Sequence, residues 1–251
     1  MIYFVGAGPG AADLITLRGK KLLEEADQII YAGSLVNPDL LGWAKSECVL
    51  HNSASMTLEE VTECFITGEQ KHWLTLRLHT GDPSVYGAIR EQMDRLRTLG
   101  FNYEVVPGVS SLSAAAAALR AEYTLPGVSQ TLIVTRTAGR TAMPEKEDLA
   151  SLAAHQASMA VFLSAGLLET LQQELLRGGY IPATPAAIVY KASWPDEKII
   201  RCALKDIAAR AAEAGINRTA LVLVGGFLDR DYERSKLYDP GFTHGYRQGG
   251  K

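Results

Sequence analysis

The sequence predicts an α/β protein of two α/β domains, the first on a mostly parallel sheet and the second on a mixed one. Three observations carry this. Short apolar runs alternate with helical patterns through the first part of the chain, as βαβ units require. Three of those runs end in glycine-bearing turns: Gly6-Ala7-Gly8-Pro9-Gly10, Thr80-Gly81-Asp82-Pro83 and Val106-Pro107-Gly108-Val109-Ser110-Ser111. Further on, two strand-like runs are separated by only Ala192 to Glu197, too short a link for a parallel crossover, so they pair as a hairpin. A chain of 251 residues has room for domains of 1–120 and 121–251, with the turn cluster Leu125-Pro126-Gly127 marking the boundary region.

The elements follow in order. Ile2 to Val5 is a short apolar run broken at Gly6, a buried strand. Thr16 caps a helix to about Ala26, with Leu17, Leu22 and Leu23 on its inner side. Gln28 to Tyr31 is a second strand and Cys48 to Leu50 a short third. Thr57-Leu58-Glu59-Glu60 is a capping box, so a helix follows to about Gly68. Residues 73 to 78 form the next strand, followed by a helix from about Tyr86 to Leu99 and the strand Tyr103 to Val106. Ser110 opens a small-residue helix through Ala114 to Ala118.

In the second half Gln130 to Thr135 is a strand and Thr137 to Lys146 a loop. Helix 148–155, strand 159–163 and helix 167–177 come next, the last closed by Gly178-Gly179. The hairpin strands are Ala186 to Lys191 and Lys198 to Cys202. Helix 205–214 leads to the strand Ala220 to Val224. From Leu228 onward aromatic and charged residues mix without period, which reads as a surface-packed extension with a frayed end.

Composition narrows the function classes. A net charge of −3 gives no reason to expect nucleic acid or an anionic membrane as partner. Cys48, Cys64 and Cys202 are far apart and form no C-x-x-C, so neither a zinc site nor a disulfide framework is expected. His51, His72, His155 and His244 have no metal spacing. There is no apolar run of about 18 residues, and a strand starting at Ile2 leaves no room for a signal peptide, so the expected location is the cytoplasm.

In a parallel sheet, ligands bind beyond the carboxyl ends of the strands, so the three glycine turns are expected to line one crevice. The first turn invites a dinucleotide-binding reading, which fails on chemistry. Pro9 removes an N–H from a loop that should offer donors to a pyrophosphate, and the third glycine of the fingerprint is Ala11. The acidic residue expected at the end of the second strand is replaced by Tyr31-Ala32-Gly33. Asp82 is either a helix cap or a ligand group; Arg77, His79 and Tyr86 around it favour a ligand. Ser110 and Ser111 lack a nucleophile elbow and read as a cap or as hydrogen-bonding groups.

VGAGPGAADLITLRG at 5–19, HTGDPSVYGAIREQM at 79–93 and VVPGVSS at 105–111 resemble the tetrapyrrole methylase family. TRTAGRTAMPE at 135–145, VYKASWPDEKIIR at 189–201 and SKLYDPGFTHGYR at 235–247 are similar to one branch of it, the precorrin-4 C-11 methyltransferases of cobalamin biosynthesis. Ala11-Ala12 departs from the Asp-Pro that many relatives carry there. The resemblance implies two α/β domains with S-adenosylmethionine between them, converted to S-adenosylhomocysteine, and a tetrapyrrole substrate bearing acetate and propionate groups. It implies cofactor contacts from Pro9, Gly81, Asp82, Val85, Tyr86, Ser110 and Ser111, and from Leu163, Ala192, Thr219 and Ala220 in the second half. Arg77, Arg136, Arg140 and Lys191 are the expected substrate-binding cations, with His79 and Arg90 also candidates at the mouth. Asp82, Tyr86 and His79 are the candidate catalytic residues, and no metal is expected. Methyl transfer from a sulfonium needs a nucleophilic carbon held in line at roughly 3–3.5 Å, not a covalent intermediate. The resemblance also implies a homodimer, for which the apolar stretch Leu35 to Trp43 offers an exposed surface. The alternatives are a sibling methylase acting at another ring position, a nucleotide-dependent oxidoreductase and a catalytically silent cofactor-binding protein.

Overall fold

The computed structural model describes residues 1–139, 141–229 and 231–250. By its internal contacts the chain falls into two compact units. Met1–Ala114 and Lys191–Asp196 form the first; Ala115–Tyr190 and Glu197–Lys251 form the second.

The first unit is a five-stranded, wholly parallel sheet. Its strands are β1 (Ile2–Gly6), β2 (Gln28–Tyr31), β3 (Val49–Asn52), β4 (Thr75–His79) and β5 (Tyr103–Val106), in the order β3-β2-β4-β1-β5. Alternation along the strands sends side chains to two apolar layers. Val5, Ile29, Leu76 and Leu78 pack with Leu22 and Leu23 of helix α1 (Leu17–Glu25). Ile2, Phe4 and Ile30 pack with Val61 and Phe65 of α2 (Leu58–Gln70) and Leu96 of α3 (Ile89–Thr98). Both expected N-caps are in place. Thr16 Oγ1 accepts from Gly19 N at 3.1 Å, and Thr57 and Glu60 form the reciprocal capping box.

Three expectations need correction. Leu17 is 90% exposed: at 3.6 residues per turn it points about 140° away from Leu22. Helix α3 begins at Ile89 rather than near Tyr86, because Tyr86 (φ 55°) and Ala88 (φ 50°) are left-handed and cannot continue a right-handed turn. The stretch Leu35 to Trp43 exposes Leu35 but is not an exposed apolar surface as a whole. Val36 and Leu40 are buried, and Leu41 and Trp43 pack against the core of α1 and the sheet.

The second unit holds a mixed sheet, β6-β7-β10-β8-β9, of β6 (Leu132–Arg136), β7 (Ser158–Phe162), β8 (Pro185–Tyr190), β9 (Lys198–Ala203) and β10 (Ala220–Val224). Strands β6 and β7 are parallel; β10 runs antiparallel to both neighbours, and β8 and β9 form the expected antiparallel hairpin. Its core is Met159, Val161, Ile188, Val222 and Val224 against Leu171 and Leu175 of α6 (Leu168–Arg177) and Ile207 and Ala211 of α7 (Ile207–Glu213). Two helices remain. α5 (Leu149–Ala153) caps on Asp148, and α4 (Ser111–Leu119) runs from one unit into the other. The tail after β10 is largely exposed and is gathered by Arg247, whose guanidinium donates to the carbonyls of Leu237, Asp239 and Phe242. No helix among the described residues is long and apolar enough to cross a membrane.

Candidate functional site

The sheet order alone gathers the three glycine turns. Strand β1 lies between β4 and β5, so the turns that leave all three meet at one edge of the first sheet. They meet backbone to backbone. A Cβ on Gly6 would lie 2.5 Å from Gly108 Cα and 2.7 Å from Gly81 O, closer than real side chains come, so only glycine permits this approach. Gly8 and Gly81 exchange hydrogen bonds, Gly81 N to Gly8 O at 2.8 Å and Gly8 N to Gly81 O at 3.3 Å, and Ala7 N donates to His79 O at 2.7 Å.

Asp82 fastens the second turn to the third. Its Oδ2 accepts from Gly108 N at 2.8 Å, while Oδ1 accepts from Ser84 N at 2.8 Å and from Ser84 Oγ. Burial pushes its carboxyl up, but the hydrogen bonds from Ser84 and Gly108 outweigh that and hold it below the usual aspartate value. The carboxylate that sequence placed on a ligand is thus engaged in shaping the loops. Val85 N donates to Asp82 O at 3.2 Å, and Tyr86 is 45% exposed in its left-handed conformation. Ser110 Oγ caps the start of α4 by accepting from Leu112 N at 3.2 Å.

The first glycine turn is spoken for in a way that sequence reasoning missed. Asn37 Nδ2 donates to Gly10 O at 2.9 Å, Trp194 Nε1 donates to Pro9 O at 3.1 Å, and Ala11 N donates to Ser193 Oγ at 3.0 Å. Pro9 and Gly10 are buried. A turn whose carbonyls and N–H groups are committed this fully is no pyrophosphate cradle, in line with the rejection of a dinucleotide fingerprint. The sequence signal for Ser193 and Trp194 is the KASWP segment, whose place in the fold no local pattern reveals.

The remaining candidates divide. His79 lies 5% exposed beside Phe4, its Nε2 without a hydrogen-bond partner. Burial, with a smaller contribution from the Arg77 charge, lowers its pKa to about 3. It is a neutral imidazole that resists protonation, a poor general base. Arg77 does not stand at a mouth. It is 7% exposed, with Nε on Gln92 Oε1 at 2.9 Å and a second nitrogen 3.3 Å from Ile30 O, and it anchors α3 to the sheet. Arg136 donates to the carbonyls of Thr137, Thr141 and Ala142, so it orders the start of the 137–146 loop. Arg90 pairs with Asp94 of its own helix. Lys191 pairs with Asp196 at 2.7 Å and lies over the Trp194 ring. Arg140 lies outside the described residues.

Leu163, Thr219 and Ala220 collect at one end of the second sheet. Ala220 pairs with Tyr190 on β8, and the β7–β10 register carries on toward Leu163. Leu163 (φ 53°) and Thr219 (φ 52°) are left-handed, as are Lys191 (φ 47°) and Ser193 (φ 69°) in the link that contains Ala192. Non-glycine residues in this region cost on the order of 1–3 kcal/mol each and gather where a ligand or mechanism requires a special shape.

The three glycine turns meet at the strand ends of the first unit's parallel sheet, the position at which open parallel sheets bind small molecules. The family profile of the Tetrapyrrole (Corrin/Porphyrin) Methylases matches residues 1–208. The chain belongs to that family. It is 53% identical over 251 residues to a cobalt-precorrin-4 C(11)-methyltransferase of Methanocaldococcus jannaschii, covering 100% of this chain and 97% of the relative. The crystal structure of a cobalamin biosynthetic enzyme, cobalt precorrin-4 methyltransferase CbiF, superposes with a TM-score of 0.89 at 45% identity, over 91% of this chain and 96% of that one. A uroporphyrin-III C-methyl transferase from Thermus thermophilus, complexed with S-adenyl homocysteine, gives a TM-score of 0.77 at 30% identity over 91% and 93%.

Proposed function

We propose that this protein transfers a methyl group from S-adenosylmethionine to C-11 of precorrin-4 or cobalt-precorrin-4, a step of cobalamin biosynthesis. The observation that carries the reading is whole-length likeness. The family profile stops at residue 208, whereas the identity with the cobalt-precorrin-4 enzyme runs through the tail as well. The neighbour complexed with S-adenyl homocysteine supports the cofactor.

The residues fit such a group. Closely packed glycines let a ligand approach main chain rather than side chain, and the left-handed residues turn backbone groups in directions a regular strand end cannot. In this reading Gly81, Asp82, Val85, Tyr86, Ser110 and Ser111 hold the cofactor, Pro9 and Ala192 border it, and Leu163, Thr219 and Ala220 add contacts. When bound, S-adenosylmethionine supplies an electrophilic methyl group. The chain's own work is positioning: Asp82 sets the spacing of two turns, and Arg136 orders the loop 137–146 that we assign to the substrate together with Lys191 and Arg140. Tyr86 replaces His79 as the first candidate to relay the displaced proton, its phenol oxygen accepting it as the phenol's own proton passes to solvent, because Tyr86 is accessible and His79 is not.

Incubation with S-adenosylmethionine and precorrin-4 or cobalt-precorrin-4 in turn, followed by mass spectrometry, tests this. One substrate should gain a single methyl group. Methylation of a different tetrapyrrole, with neither of these modified, would select the sibling reading. We also propose a homodimer, the commonest closed assembly; light scattering that returns the monomer mass at micromolar concentration would refute it.

A further inference from the structure

Of the seven residues that link β8 to β9, the first six, Lys191–Asp196, leave the sheet and belong to the first unit. There they reach the first glycine turn. Trp194 Nε1–H ends on Pro9 O, Ser193 Oγ receives Ala11 N–H, and the Trp194 indole lies so close over Gly10 that a Cβ there would overlap the ring. Lys191 Nζ lies over the indole, 5.5 Å from the ring centroid, and is itself held by Asp196. Trp194 N–H closes the link back onto Lys191 O at 3.0 Å. The link therefore holds its own shape and presents two polar groups and a flat ring to three consecutive residues of the turn.

We propose that Trp194, assisted by Ser193, is a positioning residue for the cofactor: it fixes the Pro9–Gly10–Ala11 turn in the one geometry that accepts S-adenosylmethionine. The proposal rests on the reading that the cofactor binds at the glycine turns. Nothing in the turn itself supplies this rigidity. Asn37 holds the Gly10 carbonyl, but the carbonyl of Pro9 and the N–H of Ala11 have no partner within the turn, so without the link these two groups would seek other partners and the turn would loosen there. Gly10 is required because the indole occupies the volume a side chain would need.

Trp194→Phe keeps a ring over Gly10 and removes only the N–H. We expect it to weaken S-adenosylhomocysteine binding by calorimetry about three- to tenfold, the scale of one hydrogen bond. KM for S-adenosylmethionine should rise by a similar factor, with kcat and the tetrapyrrole KM unchanged. Ser193→Ala should act in the same direction and serves if the tryptophan variant does not fold. Steric coupling gives an independent reading. Gly10→Ala should impair binding strongly in the native background but add little in Trp194→Ala, where the indole no longer blocks the methyl group. A native protein that binds S-adenosylhomocysteine while Trp194→Phe and Ser193→Ala bind it equally well, or Gly10 and Trp194 effects that simply add, would overturn this proposal alone. A native protein that fails to bind S-adenosylhomocysteine would remove the cofactor reading with it.

Discussion

His79 shows how burial decides a residue's chemistry. As a histidine at the end of a strand beside Asp82 it looked like a base; enclosed beside Phe4 and near Arg77 it stays neutral down to about pH 3. Its folded pKa is depressed, so the unfolded chain, with the ordinary value of 6.5, binds the extra proton as pH falls below that value. The stability this histidine contributes is complete above 6.5 and is lost progressively toward 3. His79→Phe removes the titration, keeps an aromatic ring beside Phe4, and discards an Nε2 that has no partner. Relative to the native protein, the variant should gain about 1 kcal/mol on going from pH 7 to pH 5.5, measured from urea midpoints. A stability difference that does not change with pH would mean that His79 is exposed or paired in solution. Asp82 obeys the same sign in a lower window: its carboxylate hydrogen bonds contribute above the ordinary value of 3.8 and fade as pH falls through its lowered value.

At the level of elements, what could be read from sequence was local and periodic. The strands Gln28–Tyr31, Tyr103–Val106 and Ala220–Val224 lie where their apolar runs and flanking turns put them, and the Thr16 and Thr57 caps follow from hydroxyl and carboxylate spacing. The meeting of the three glycine turns was legible because parallel topology brings strand ends together. The remainder depended on contacts that no short window contains. The start of α3 differs from the sequence expectation because the left-handed residues are Tyr86 and Ala88, while Gly87 between them, the residue type that would announce such a turn, is not left-handed. Arg77 and Arg136 were read as substrate cations because charge normally means surface, yet one is sequestered against Gln92 and the other serves the carbonyls of its own loop. The destination of the β8–β9 link was invisible for the same reason. Its length forbade a crossover, but only tertiary packing shows that Ser193 and Trp194 complete a turn more than 180 residues earlier.

That interleaving governs how the whole molecule should unfold. The first unit is not a continuous stretch of chain; it needs Lys191–Asp196, and those residues are held at both ends by β8 and β9 of the second unit's sheet. Melting of the β8–β9 hairpin would release Ser193 and Trp194, and the first glycine turn would lose the partners of Pro9 O and Ala11 N. The two units are therefore expected to lose structure in one cooperative step. The sequence supplies a convenient test, because its three tryptophans, Trp43, Trp73 and Trp194, all fall in the first unit, while helices and strands are shared by both. Tryptophan fluorescence thus reports the first unit and far-UV circular dichroism reports the sum. The two probes should give coincident urea transitions with equal midpoints, the usual criterion for an all-or-none process. S-adenosylhomocysteine at about 100 times its dissociation constant should move both midpoints together by the equivalent of about 2.7 kcal/mol. Separate midpoints, with circular dichroism changing while fluorescence stays native, would show that the second sheet can melt while the link stays docked, and that the units are energetically independent despite sharing the chain.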